Sequence, residues 1–185
     1  GKSMHDQHDL YSVVDYNRAG VPLIEIVTEP DLHSGDEAAA YLTEIRKLVR
    51  TLNVCDGNMD EGSLRCDANI SVRPVGTAEL GTKAELKNIN SFSGVQKGIE
   101  FEAVRQAELI EDGGTVIQET RGWDENKEIT VTQRVKEGTN DYRFFLLLDL
   151  IPIEVSPEWI EAIRKEIPEM PDARCERFVE ELGLP

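Results

Sequence analysis

Three carboxylates sit inside stretches that otherwise read as strands. Glu25 lies in "VPLIEIVTE", which is apolar on both parities except for Glu25 itself. Asp67 lies between Arg65 and Asn69 on the polar parity of "EGSLRCDANISVRP", where Leu64, Cys66, Ala68, Ile70 and Val72 take the other parity. Glu85 lies between Lys83 and Lys87 in "GTKAELKNI". Such period-two alternation marks a strand with one apolar and one polar face. A carboxylate fixed in a buried strand needs a cation or several donors, because an unpaired buried charge is costly. Carboxylates converging from rigid strands are one way to hold Mg²⁺ for phosphoryl transfer, with Lys or Arg on the same face meeting phosphate oxygens. Spacing alone favours a plainer account of Asp67 and Glu85, since antiparallel sheets often keep one wet face. For Glu25 the structural alternative is a buried Glu–Arg pair.

Other signals carry less. "GKS" at Gly1–Ser3 ends like a phosphate-binding loop, but the polar residues after it lack a helical pattern, so coincidence is the better reading. His5 and His8 have an HxxH spacing in a polar segment with no third ligand in view, which suits a surface loop. Trp123, near a hairpin tip, is read as a packing residue rather than a base-stacking one. GxGxxG, GxSxG and HExxH motifs are missing from the sequence.

The elements that must position these groups follow from pattern. Val21–Glu29 reads as a first strand, ended by Pro30. "SGDE" at Ser34–Glu37 has capping-box spacing, and Ala38, Tyr41, Leu42, Ile45, Leu48, Val49 and Leu52 follow with helical period, closed by Asn53. "DGNMDEG" is turn chemistry leading to a hairpin of Leu64–Arg73 with Thr82–Ile89. A second helix is predicted from about Phe92 to Glu111, striped by Val95, Ile99, Ala103, Ala107 and Ile110 and stopped by Gly113 and Gly114. "TVIQETRGWDENKEITVTQRV" predicts another hairpin, turning near Asp124 to Lys127. "LLLDLIPIEV" is partly extended. From Ser156 the chain turns helical: Ser156 caps, Pro157 starts, and Trp159, Ile160, Ile163 and Ile167 form a stripe. A short helix follows "MPDAR", with Gly183 beyond it. The expected class is α+β on an antiparallel sheet, with residues 1–155 as one domain and 156–185 as the start of a helical linker or second module.

Composition bounds the partners. The 185 residues carry 20 basic and 36 acidic side chains, a net charge of −16. That opposes nucleic-acid binding by bulk electrostatics, leaves room for a local basic site, and suits hard cations. The longest apolar run, "RFFLLLDLIPIEV", is broken by Asp149 and Pro152 and falls short of the ~20 residues of a membrane helix. The three cysteines have no CxxC spacing, so a disulfide framework or zinc site is not expected and a cytosolic place is; Cys66 reads as a small buried hydrophobe. "GKSMHDQHDLYS" has neither an initiator Met nor a signal-peptide core, so the chain is expected to begin within a domain.

Taken in order and spacing, "DYNRAGVPLIEIVTEPD", "DGNMDEGSLRCDANISVRP", "GTKAELKNINSF", "QETRGWDE" and "RVKEGTNDYRFF" resemble the GatB/GatE family, which includes the GatB subunits of GatCAB-type aspartyl/glutamyl-tRNA amidotransferases. The resemblance covers nearly the whole chain. It implies an antiparallel-sheet cradle related to glutamine synthetase. It also implies an ATP- and Mg²⁺-dependent ligase subunit that phosphorylates and amidates the side-chain carboxylate of misacylated Glu-tRNA(Gln) and/or Asp-tRNA(Asn). Ammonia would come from a glutaminase subunit, within a heterotrimer with GatA and GatC, in the cytoplasm and away from any membrane. On this resemblance Glu25 and Asp67 match metal ligands and Glu85 joins them as a catalytic group; Arg65, Lys83 and Lys87 line the same cradle toward the nucleotide. The family's "GLEVH" strand and "MEED" segment are expected upstream of Gly1, and its tRNA-gripping helical and tail domains beyond Pro185. After "DYRFF" the family's usual Pro-Glu-Pro-Asp run is replaced by Leu146, Leu147, Leu148 and Asp149, which puts that loop's role in doubt. Two other readings compete: a non-catalytic module docking on the glutaminase subunit through its helical tail and Phe144–Leu148, and a structural cation-binding domain.

Overall fold

A computed structural model of the chain describes residues 2–4, 13–17, 19–135 and 153–184. It falls into two compact units, Gly1–Asp31 and Leu32–Pro185. In the first, β1 (Lys2–Met4) pairs antiparallel with β2 (Val13–Asp15). Lys2 and Ser3 thus lie in a strand rather than at the mouth of a helix, against a phosphate loop there. The expected strand at 21–29 does not form: these residues have no regular structure and all are exposed, Leu23 by 91%. A run of β-branched and apolar residues becomes a strand only when it finds a partner edge and a face to pack on. Glu25 is therefore exposed rather than embedded.

The second unit begins with α1 (Gly35–Thr51). Ser34 Oγ accepts from the Glu37 amide at 3.1 Å, and the Glu37 carboxylate accepts from the His33 amide at 2.6 Å, so the first turn's donors are satisfied as the spacing predicts. Asn53, at φ 54°, ends the helix in the left-handed region. Leu42 is the stripe residue that reaches the core.

Four strands follow in the order β3 (Cys66–Ile70), β4 (Ala84–Ile89), β5 (Glu119–Asp124), β6 (Ile129–Val135). The β3–β4 and β5–β6 pairs are the two expected antiparallel hairpins. Between them β4 and β5 run parallel, so the sheet is mixed rather than purely antiparallel. The cause is α2 (Phe92–Glu111), whose 20 residues span about 30 Å and carry the chain back across the sheet before β5 starts.

One face of α2 packs on the sheet. Its buried positions are Gly94, Val95, Gly98, Glu102 and Gln106, not the expected apolar series, and Ile110 is exposed. The helix is turned because glycine allows close approach and because two polar side chains have partners beneath them. A Cβ on Gly98 would lie 2.8 Å from Leu86 Cδ2 and 3.4 Å from the Trp123 ring. The core comprises Leu42, Met59, Ile70, Leu86, Ile89, Val95 and Trp123. Leu86 and Val95 are fully buried, each worth roughly 1.5–3 kcal/mol of transfer energy. Trp123 packs edge-on to Phe101 at 6.4 Å, a packing role as read from sequence.

Ser156 caps α3 (Pro157–Glu166), its Oγ accepting from the Trp159 amide, and α4 (Pro171–Leu182) ends at left-handed Gly183. Trp159, Ile160, Ile163 and Ile167 are all about half exposed. Among the described residues no helix is long and apolar enough to cross a membrane.

Candidate functional site

The polar face of the sheet gathers three of the predicted site residues. Strands β3 and β4 pair Asn69 with Glu85 and Ala68 with Leu86, then Cys66 with Ile89. Between the last two pairs Lys87 and Asn88 together oppose the single residue Asp67. This is a bulge, with Asn88 at φ 62°. It turns Lys87 toward Asp67: Nζ lies 2.8 Å from Asp67 Oδ2 and 3.2 Å from Glu85 Oε1. Two carboxylates from neighbouring strands thus converge on one positive centre. Asp67 and Lys87 are nearly half exposed and the Glu85 side chain is 19% exposed, so the cluster opens to solvent. The hydrogen bond with Asp67, more than anything else, holds the Lys87 ammonium above its ordinary value, against a smaller effect of partial burial. On the next strand Thr120 Oγ1 donates to Glu85 Oε2 at 3.1 Å.

The other predicted residues are not gathered there. Arg65 is exposed, its guanidinium beside Gly62, where an added Cβ would come within 3.3 Å of Nε. Lys83 is exposed one residue before β4. Glu25 belongs to the other compact unit. His5, His8 and the Phe144–Leu148 stretch lie outside the described residues.

The opposite face holds a network that reading the sequence missed. Arg121 donates from Nε to Thr130 Oγ1 at 2.9 Å, from Nη1 to Glu119 Oε1 at 2.6 Å and Thr132 Oγ1 at 2.8 Å, and from Nη2 to the Thr130 carbonyl at 2.9 Å. Glu102 accepts from Arg105, Gln106 and Thr130, and lies 3.2 Å from Arg121 Nε. Gln106 also donates to the Ile70 carbonyl at 3.1 Å. Burial alone would push the Glu102 carboxyl up; the bonds from Arg105, Gln106 and Thr130 outweigh it and hold the carboxyl below its ordinary range. The signal was present in the spacing: Glu102 and Arg105 are one helical turn apart, and Glu119 and Arg121 share a strand parity. Cys66, at the edge of the core, is a thiol that burial pushes up to about 11, in keeping with a small hydrophobe.

Hard oxygen donors such as Asp67 and Glu85 fit Mg²⁺, which commonly takes one or two carboxylates and completes its shell with water or phosphate. The positive centre between them shows that the two carboxylates can face a common cation. Among the described residues no group of three or more His, Cys, Asp or Glu side chains converges.

Comparison with known proteins agrees with the motifs. The chain is 56% identical over its full length to the GatB-type protein of Thermodesulfovibrio yellowstonii, an aspartyl/glutamyl-tRNA(Asn/Gln) amidotransferase polypeptide, and covers 39% of it. It is 57% identical, with the same coverage, to the protein of that name from Caldanaerobacter subterraneus subsp. tengcongensis. It is 56% identical to that of Oceanobacillus iheyensis, covering 38%. The chain thus spans about two-fifths of the length of these curated relatives. The GatB/GatE catalytic domain matches residues 1–161. That match takes in the whole sheet with both of its faces, and the chain belongs to the GatB/GatE catalytic domain family.

Proposed function

We propose that this chain is the catalytic part of a GatB-type amidotransferase subunit. It would activate the side-chain carboxylate of Glu-tRNA(Gln) and/or Asp-tRNA(Asn) with ATP and replace the phosphate with ammonia. The glutaminase subunit GatA would supply that ammonia, with GatC completing the heterotrimer, and the cytosol is the compartment this reading requires. The observation that carries the reading is the open Asp67–Lys87–Glu85 cluster on the polar face of the sheet, within a chain of this family. The sheet would be the floor of a cradle of the glutamine synthetase type, and the helices from residue 156 would begin a second module.

The roles follow from the side chains. Asp67 and Glu85 would hold Mg²⁺, and Glu25 keeps the metal-ligand part that the family motif implies for it. When bound, that ion neutralises charge developing on the transferred phosphoryl group. Lys87 balances the two carboxylates until a divalent cation takes that part, and its ammonium then becomes a donor for a phosphate oxygen. Arg65 offers a planar fork of donors for the polyphosphate and Lys83 a mobile point charge. Their exposure suits groups that engage a ligand rather than each other.

The test is Asp67→Asn in the full-length subunit assembled with its partners. Asn keeps the size of the side chain and removes its charge. Ammonium-driven amidation of misacylated tRNA is expected to fall about 10²-fold, the scale of losing one key electrostatic contact in a transition state. Glutamine hydrolysis should change only through coupling, and tRNA binding little. A folded variant that amidates at the wild-type rate across a range of Mg²⁺ would leave Asp67 as a wet-face residue.

A second reading, a docking module for the glutaminase subunit, is favoured by the half-exposed apolar stripe of α3. Loss of Mg²⁺-dependent ATP binding in the same Asp67→Asn variant separates the two, because docking alone does not need that charge.

A further inference from the structure

We infer that Thr120 is a positioning residue for the Glu85 carboxylate, fixing its plane so that it faces the ligand side of the sheet. This rests on the functional reading of Glu85 given above.

The last torsion of a glutamate is broad, so a carboxylate is not oriented by its own rotamer. Here its two oxygens are taken by different partners. Oε1 faces the Lys87 ammonium at 3.2 Å and Oε2 accepts from Thr120 Oγ1 at 3.1 Å. Anchors on both oxygens define a plane. Lys87 is 42% exposed, on a long flexible stem, and also serves Asp67. Thr120 is the opposite kind of anchor. It is 7% exposed and β-branched, so its first torsion is stiff. It also stands directly beside Glu85 in the parallel register of β4 and β5.

The backbone under Thr120 is also held. The next residue is Arg121, whose guanidinium is bonded to Glu119, Thr130 and Thr132 on the far face. A shift in the β5–β6 register falls between Thr120 and Arg121, which sets Thr120 on one face and the arginine on the other. The buried network thereby pins the strand from which Thr120 reaches Glu85. A hydroxyl is neutral, so it orients the carboxylate without cancelling the charge that a cation needs. This is the part that second partners of metal-binding carboxylates play, and their removal costs about 10–100-fold in metal affinity.

The experiment uses the full-length assembled complex and Mn²⁺, a paramagnetic stand-in for Mg²⁺, titrated without nucleotide or tRNA and followed by electron paramagnetic resonance. Thr120→Val keeps the shape and removes the donor; affinity for Mn²⁺ should fall about 10-fold. Thr120→Ser keeps the donor and should bind as wild type does. Should the valine variant fail to assemble, Thr120→Ala takes its place with the same expectation. Glu85→Gln separates positioning from binding. If it loses Mn²⁺ while Thr120→Val retains wild-type affinity, the positioning role is overturned alone. If Glu85→Gln itself binds Mn²⁺ as wild type does, the functional reading of Glu85 falls, and the inference with it.

Discussion

The two faces of the sheet use the same side chains to opposite ends. On the face under α2, Glu102, Glu119, Arg105 and Arg121 are mostly buried, and the two glutamates and Arg121 are closely surrounded by partners. On the other, Asp67, Glu85 and Lys87 meet at similar distances but open to water. A buried, well-satisfied charge cluster holds a helix to a sheet and has little room for a ligand. A half-exposed one contributes little to stability and can exchange a partner. Charge within a strand therefore marks neither structure nor function by itself; what distinguishes them is whether the partners come from the chain alone.

This contrast can be broken or sharpened by measurement in the intact subunit. The largest effect is expected from Arg121→Met, which leaves Glu102 and Glu119 without their shared cation. It should cost about 3–5 kcal/mol in urea unfolding, and a loss below about 1 kcal/mol would refute the view that this face is structural. The same network predicts an acid limb. Because the folded Glu102 carboxyl is held below its ordinary value of 4.5, its stabilisation is complete above that pH and is lost as pH falls through the lower folded value. Glu102→Gln should flatten that limb. Gln106→Leu comes next, at about 1–3 kcal/mol, because the Ile70 carbonyl loses a buried donor. On the open face Lys87→Met should cost only about 0–1 kcal/mol. Asp67→Asn should move the unfolding midpoint least, by about 0.5 kcal/mol or less, though its expected effect on amidation is about 10²-fold. A large loss of stability from Asp67→Asn would erase the distinction between the faces.

The same distinction explains what could be read in advance. Capping at Ser34 and Ser156, the left-handed stop at Asn53 and both hairpins are local, and each was legible from a few neighbouring residues. The wet parity of Asp67, Glu85 and Lys87 was legible as well, though the bulge that brings Lys87 onto Asp67 was not. The parallel β4–β5 pair was missed because pairing across a 20-residue helix leaves no local trace. The face of α2 was misread because an apolar stripe was sought where Glu102 and Gln106 are buried. Their burial depends on Arg121 and the Ile70 carbonyl, both remote in sequence. Val21–Glu29 failed in the other direction: its composition suits a strand, but no strand forms there.

The bulge at Lys87–Asn88 has a consequence for how this strand tolerates change in length. Before it the core-facing residues of β4 are Ala84 and Leu86; after it the core-facing residue is Ile89. Asn88 thus acts as a phase shifter, switching the inward residues from even to odd numbers without breaking the strand. Removing that one residue would restore strict alternation. What is now Ile89 would then carry on the even series and keep its place inside, while Asp67 would face Lys87 alone in a flat ladder. Genetic variation should therefore spare the core more than the cluster. A single-codon deletion at Asn88 is a lesion that leaves folding largely intact and retunes the geometry of the polar face.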